Sequence, residues 1–100
     1  MIAKHISREQ KTIDNTAGGL GPTALSEADR RRHIYTRVQI QTAQVRATYD
    51  GSTAPVASTT GELTGPGTVF NVWGIDNRDK LKMIRETATS GLAIFNDFGS

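Results

Sequence analysis

The chain has 100 residues, enough for one domain with a single modest core. It contains no cysteine, which excludes disulfide frameworks, thiolate nucleophiles and cysteine-ligated zinc together. The formal net charge is only +2, and apart from Arg30-Arg31-Arg32 the cations are scattered, without the basic stripe of a dedicated nucleic-acid binder.

Taken in chain order, residues 1–13 carry Ile2, Ile6 and Ile13 as their only large apolar side chains. Such a segment is an arm or an edge strand, and residues 14–100 then form the domain proper. Met1-Ile2-Ala3-Lys4-His5 lacks the apolar core of a signal peptide. No run approaches the roughly 18 apolar residues of a membrane span. The expectation is a soluble chain made in the cytoplasm. Asn15 through Pro22 read as a glycine-rich loop. Ser26 can cap a short helical turn with acids in its first turn and Arg30 to Arg32 at its end.

From His33 the period changes to two. Ile34, Thr36, Val38 and Ile40 share one face, and Tyr35, Arg37 and Gln39 the other, as in a strand with one dry side. Val45, Ala47 and Tyr49 alternate in the same way up to the Asp50-Gly51 turn. Residues 52–67 read as a loop with a short strand around Glu62-Leu63. Val69, Asn71 and Trp73 then lie opposite Phe70 and Val72. After a polar turn at Asp76-Asn77-Arg78-Asp79 come a strand over Leu81 to Ile84 and a closing strand. In the closing strand Leu92, Ile94 and Phe98 oppose Ala93 and Phe95. The expected fold is an all-β, immunoglobulin-like sandwich of six or seven strands with an extended N-terminal arm and a short helical turn. Its expected core is Ile34, Val38, Ile40, Val45, Ala47, Val69, Leu81, Met83, Leu92 and Ile94.

Chemistry-bearing patterns are sparse. His5 and His33 lack metal-ligand spacing, no Gly-x-Ser-x-Gly elbow is present, and Gly18-Gly19-Leu20-Gly21 lacks the lysine of a phosphate loop. Asp76 and Asp79 fall short of a calcium loop, and the carboxylates show no acid–base spacing. The expectation is a non-enzyme with no catalytic, cofactor-binding or metal-binding residue. Arg30-Arg31-Arg32 reads as a solvated helix end, and Trp73 as core or subunit interface.

Val45-Arg46-Ala47-Thr48-Tyr49-Asp50-Gly51-Ser52-Thr53-Ala54-Pro55 resembles the strand-and-turn signature of the immunoglobulin-like C-terminal domain of chitobiase-type enzymes. It departs from that signature in placing Tyr49 directly before Asp50 and Ala54 between Thr53 and Pro55. A wider stretch resembles small virion proteins of tailed bacteriophages. It comprises the loop over 13–19, the strand and Asp-Gly turn over 45–55, Lys82-Met83-Ile84-Arg85, and the hydrophobic closing strand over 92–98.

The second resemblance implies a non-catalytic virion subunit, made in the host cytoplasm, that decorates or cements a capsid. Its partners would be the major capsid protein or other virion subunits, with no membrane and no specific nucleic acid. Closed symmetry such as a trimer would cover the exposed edge strands of a small sandwich. The arm, too poor in apolar surface to repay its own ordering, is expected to be ordered by a neighbouring subunit. Ile2, Lys4, Ile6 and Arg8 are its expected contacts, and Trp73, Phe95 and Phe98 complete the interface candidates. Alternatives are a neck or tail subunit, or a carbohydrate-binding adhesion module of a phage fibre with Trp73, Tyr35 and Tyr49 as its platform. An exposed Trp73 ring favours sugar; a buried or interfacial one favours assembly.

Overall fold

The computed structural model describes residues 3–100, so Ile2 lies outside the described residues. In chain order the elements are β1 (Lys4–Ile13), α1 (Glu27–Arg32), β2 (His33–Gln41), β3 (Val45–Thr48) and β4 (Glu62–Thr64). β5 (Val69–Trp73), α2 (Ile75–Lys80), β6 (Lys82–Arg85) and β7 (Gly91–Gly99) follow. One sheet has the order β1-β7-β2-β5 and the other β4-β3-β6, with every pairing antiparallel.

The two sheets enclose one core. The larger contributes Ile13, Val38, Ile40, Val72, Ala93 and Phe95, and the smaller Val45, Ala47 and Met83. The protein is therefore an all-β, two-sheet structure, but its strand order differs from the immunoglobulin arrangement. There the first strand lies beside the second; here β1 lies beside β7, the last. The observed order is that of a jelly roll. In an eight-stranded jelly roll the first, eighth, third and sixth strands form one sheet, and the second, seventh, fourth and fifth the other. Removing the second strand leaves the order seen here. Its place beside β6 is taken by a single bridge, Leu20 to Met83.

Of the two dispositions open to the N-terminal segment, extended arm or edge strand, the structure has the edge strand of its own sheet. Lys4 to Ile13 pair with Gly99 to Gly91, with an irregularity between His5 and Ser7. Backbone pairing along ten residues supplies the ordering that the sparse apolar side chains alone do not. Ile6, expected to reach a neighbour, packs instead on its own domain. A Cβ placed on Gly99 would lie 2.4 Å from Ile6 Cδ1 and 2.1 Å from Arg32 O, so only glycine lets the end of β7 approach both.

The helical turn at Ser26 is present. Ser26 Oγ accepts from Asp29 N at 3.2 Å, and Glu27–Arg31 and Asp29–Arg32 pairs run along the helix surface. The polar turn at 76–79 is a second short helix, α2, joined to α1 by a two-pronged Arg30–Asp79 ion pair at 3.0 and 2.9 Å. At the Asp50-Gly51 turn, Asp50 Oδ1 accepts from the Ser52 and Thr53 amides while Gly51 adopts φ 78°.

Two strands present the face opposite to the one expected. On β7 the buried residues are Gly91, Ala93, Phe95, Asp97 and Gly99, leaving Leu92 and Ile94 half-buried outside. On β5 Val72 is buried and Val69 is 51% exposed. Phe95, taken as an interface candidate, is 0% exposed at the centre of the core. Ile34 is only half-buried. The inner face of β7 is the less apolar of its two faces because it carries Asp97, whose burial is made possible by Arg78 from α2.

Candidate interaction surface

The register of the four-stranded sheet aligns side chains in rows across its outer face. His5 is opposite Phe98, Phe98 opposite Tyr35, and Tyr35 opposite Trp73, so four aromatic rings from four strands form one line. Ring centroids are 4.8 Å apart for Tyr35–Trp73 and 4.9 Å for Tyr35–Phe98, with tilts of 34° and 10°. His5 meets Phe98 edge-on at 5.5 Å. These spacings match the separation of neighbouring strands, so the rings lean face to face like books on a shelf. Tyr35 has both faces covered.

The next row is polar: Arg8, Asn96, Arg37 and Asn71. Arg37 also reaches back over the Phe98 ring, 5.6 Å from its centroid, and His5 Nε2 lies 3.0 Å from Asn96 Oδ1. A third row holds Gln10, Ile94, Gln39 and Val69. None of these twelve side chains is a carboxylate, and two are arginines.

The row ends at Trp73, which is 57% exposed and sits on the edge strand β5. Beside it a pocket of about 260 Å3 is lined by Tyr49, Asn71, Val72, Trp73 and Asn77. Asn77 Nδ2 donates to Trp73 O at 2.8 Å, and Tyr49 packs edge-on against Phe70. The pocket lining carries no ionisable group apart from the Tyr49 phenol, which burial and Glu62 push above its ordinary pKa. Trp73 and Tyr49, two of the three rings named as a candidate sugar platform, thus share one concavity.

A second cluster lies inside, at the end of the sandwich closed by α1 and α2. Arg78 is 1% exposed and Asp97 0%. Arg78 Nε donates to Asp97 Oδ1 at 2.8 Å, Nη2 to Asp97 Oδ2 at 3.2 Å, and Nη1 to Thr23 O at 2.9 Å. Thr36 Oγ1 donates to Asp97 as well. That hydroxyl proton is thereby spent, so His33 Nε2, 2.8 Å from Thr36 Oγ1, must be the donor in that contact. His33 Nδ1 is then a buried acceptor without a partner among the described residues. The Thr36 hydroxyl is fully buried and directed at a carboxylate. The cluster ties α2, β2, β7 and the loop before α1 together.

Burial, the largest influence, holds the His33 pKa below its ordinary value of 6.5; the nearby Arg78 acts the same way and Asp97 against both. An unfolded chain therefore takes up a proton near pH 6.5 that the folded chain refuses. Stability is fully present above about pH 6.5 and declines as pH falls below it, down to the folded-state pKa. Asp79, held low mainly by its bond to Arg30, acts in a separate window below about pH 3.8. Thermal melts from pH 7.5 to 5 should show a falling midpoint for the wild type. His33→Gln, which keeps a donor for Thr36, should flatten that slope; an unchanged slope would refute the assignment.

Of the sequence-derived interface candidates, the structure brings Trp73, Phe98 and Arg8 onto one face. Lys4 is exposed at the start of β1, Ile6 is turned inward and Phe95 is core. Tyr35, named with Trp73 only as part of a sugar platform, joins them, and Arg37, Asn71 and Asn96 were missed as members of this face. Their two-residue alternation was visible, but which strands adjoin was not. Arg78 gave no signal, because in the sequence it sits in a run of polar residues. Comparisons with family models, with curated proteins and with solved structures returned no match.

Proposed function

We propose that this protein is a non-catalytic assembly subunit, of the kind that decorates or cements a tailed-phage capsid, and that it docks on its partner through the outer face of the four-stranded sheet. The observation that carries the reading is the aromatic row backed by arginines. Trp, Tyr and Arg are the residues that most often dominate protein–protein binding energy. Rings stacked on one another are rigid in advance and lose little freedom on docking. The carboxylate-free face suits a partner surface bearing acids. The virion setting is supported by the order of short motifs from 13 to 98; the jelly-roll strand order is shared by capsid and lectin domains and is compatible with both readings.

Particles of the parent virus assembled with an Arg8→Glu/Arg37→Glu chain test this. Both side chains are exposed, so the fold is expected to survive, while like charges meeting an acidic partner cost several kcal/mol. Incorporation should drop about tenfold or more. Wild-type incorporation of the doubly substituted chain would refute the reading.

A second reading, a carbohydrate-binding module, is favoured by one observation: the exposed Trp73 beside Tyr49, Asn71 and Asn77. Trp73 and Phe98 are the two ends of the three-ring stack, and of these Phe98 is also met by His5 and Arg37. Saturable binding of neutral oligosaccharides, abolished by Trp73→Ala, would establish it in place of assembly.

A further inference from the structure

β5 ends its sheet, and its outer edge is chemically unlike the opposite one. Ile40 N donates to Thr68 O at 2.9 Å and Gly74 N to Ile34 O at 2.8 Å, so Thr68 and Gly74 face β2. Alternation along the strand then turns the backbone N–H and C=O of Val69, Asn71 and Trp73 away from the sheet. Native edge strands are blunted against pairing by charged side chains. β1, at the far end, carries Lys4, Arg8, Glu9 and Lys11; Val69-Phe70-Asn71-Val72-Trp73 carries no charge and leaves Val69 and Trp73 more than half exposed.

We infer that β5 pairs antiparallel with β5 of a second copy about a two-fold axis through Asn71, making one continuous sheet from two. In such a contact every residue meets its own strand again, so any charge on the strand must be desolvated or paired as the sheet closes, and an uncharged strand escapes that cost. β5 is uncharged; β1, with Lys4, Arg8, Glu9 and Lys11, is not. The register is also self-consistent. With Asn71 opposite Asn71 of the partner subunit, Val69 falls opposite Trp73 of the partner subunit, and all three hydrogen-bonded pairs use the outward-directed groups. Asn77 occupies one lone pair of Trp73 O and leaves the second for the incoming Val69 N–H. Each exposed Val69 is covered by a Trp73 ring, an aromatic–β-branched cross-strand pair.

The inference deepens the assembly reading, on which it rests for its purpose, but its test needs no particle. Light scattering should give the wild type twice its 10.8 kDa mass and Val69→Lys the monomer mass, with the same circular dichroism. Asn71→Cys introduces the sole cysteine of the chain. Paired Cα atoms about 5.5 Å apart lie within disulfide reach, so it should oxidise to a covalent dimer well ahead of Gln10→Cys on β1. A monomeric wild type, a Val69→Lys dimer, or equally fast cross-linking at Gln10→Cys would overturn the proposal. Should Val69→Lys fail to fold, the cysteine comparison decides alone. A dimer that never enters particles would sink the assembly reading and leave this one standing; a monomer that does enter them would do the reverse.

Discussion

Arg78→Ala should lower the free energy of unfolding by about 3–5 kcal/mol, read from urea denaturation at pH 7. The substitution leaves Asp97 charged and sealed inside the sandwich with only the Thr36 hydroxyl as donor, and it releases Thr23 O from its partner. A domain of this size has a total stability of about 5–15 kcal/mol, so the loss consumes a large part of it. The midpoint of thermal unfolding should fall by roughly 10–30 °C. The paired replacement Arg78→Met/Asp97→Leu removes both charges at once, and its cost should be far smaller, because desolvating an ion pair offsets most of the attraction it gains. The double variant being as unstable as Arg78→Ala would show that packing of the arginine stem, rather than the ion pair, holds α2 in place.

Phe95→Ala should cost about 3–5 kcal/mol and Phe98→Ala only about 1 kcal/mol, although the two lie three residues apart on one strand. Phe95 is fully buried between the sheets, so truncating it leaves a cavity that rigid neighbours cannot fill. Phe98 is half-buried in the outer row, where it loses contacts to Tyr35 and His5 but leaves no enclosed void. Equal losses, or a larger loss for Phe98, would mean that the faces of β7 are reversed. Phe98→Ala should in turn weaken docking through the outer face far more than it weakens the fold.

Local chemistry was enough to reveal much of this protein. β-branched residues alternating over 34–40, Val45 and Ala47 two apart, the cap at Ser26 and the Asp50-Gly51 turn act over a few residues, and the structure has these elements where the pattern put them. β3 nevertheless ends at a buried Thr48 and leaves Tyr49, expected on the face of Val45 and Ala47, exposed. Alternation shows that a strand has two faces; it does not say which is inside. For β7 the more apolar face is the outer one, because a buried Asp97 met by Arg78 and two glycines that permit close approach decided the matter across the fold. Only the tertiary structure chose β7 as the neighbour of β1, which selected the edge strand from the two dispositions open to the N-terminal segment and set the sheets in jelly-roll order. The same long-range pairing drew His5, Tyr35, Trp73 and Phe98 into one row, since the register between strands distant in sequence is set by closing the core and is written in no local segment.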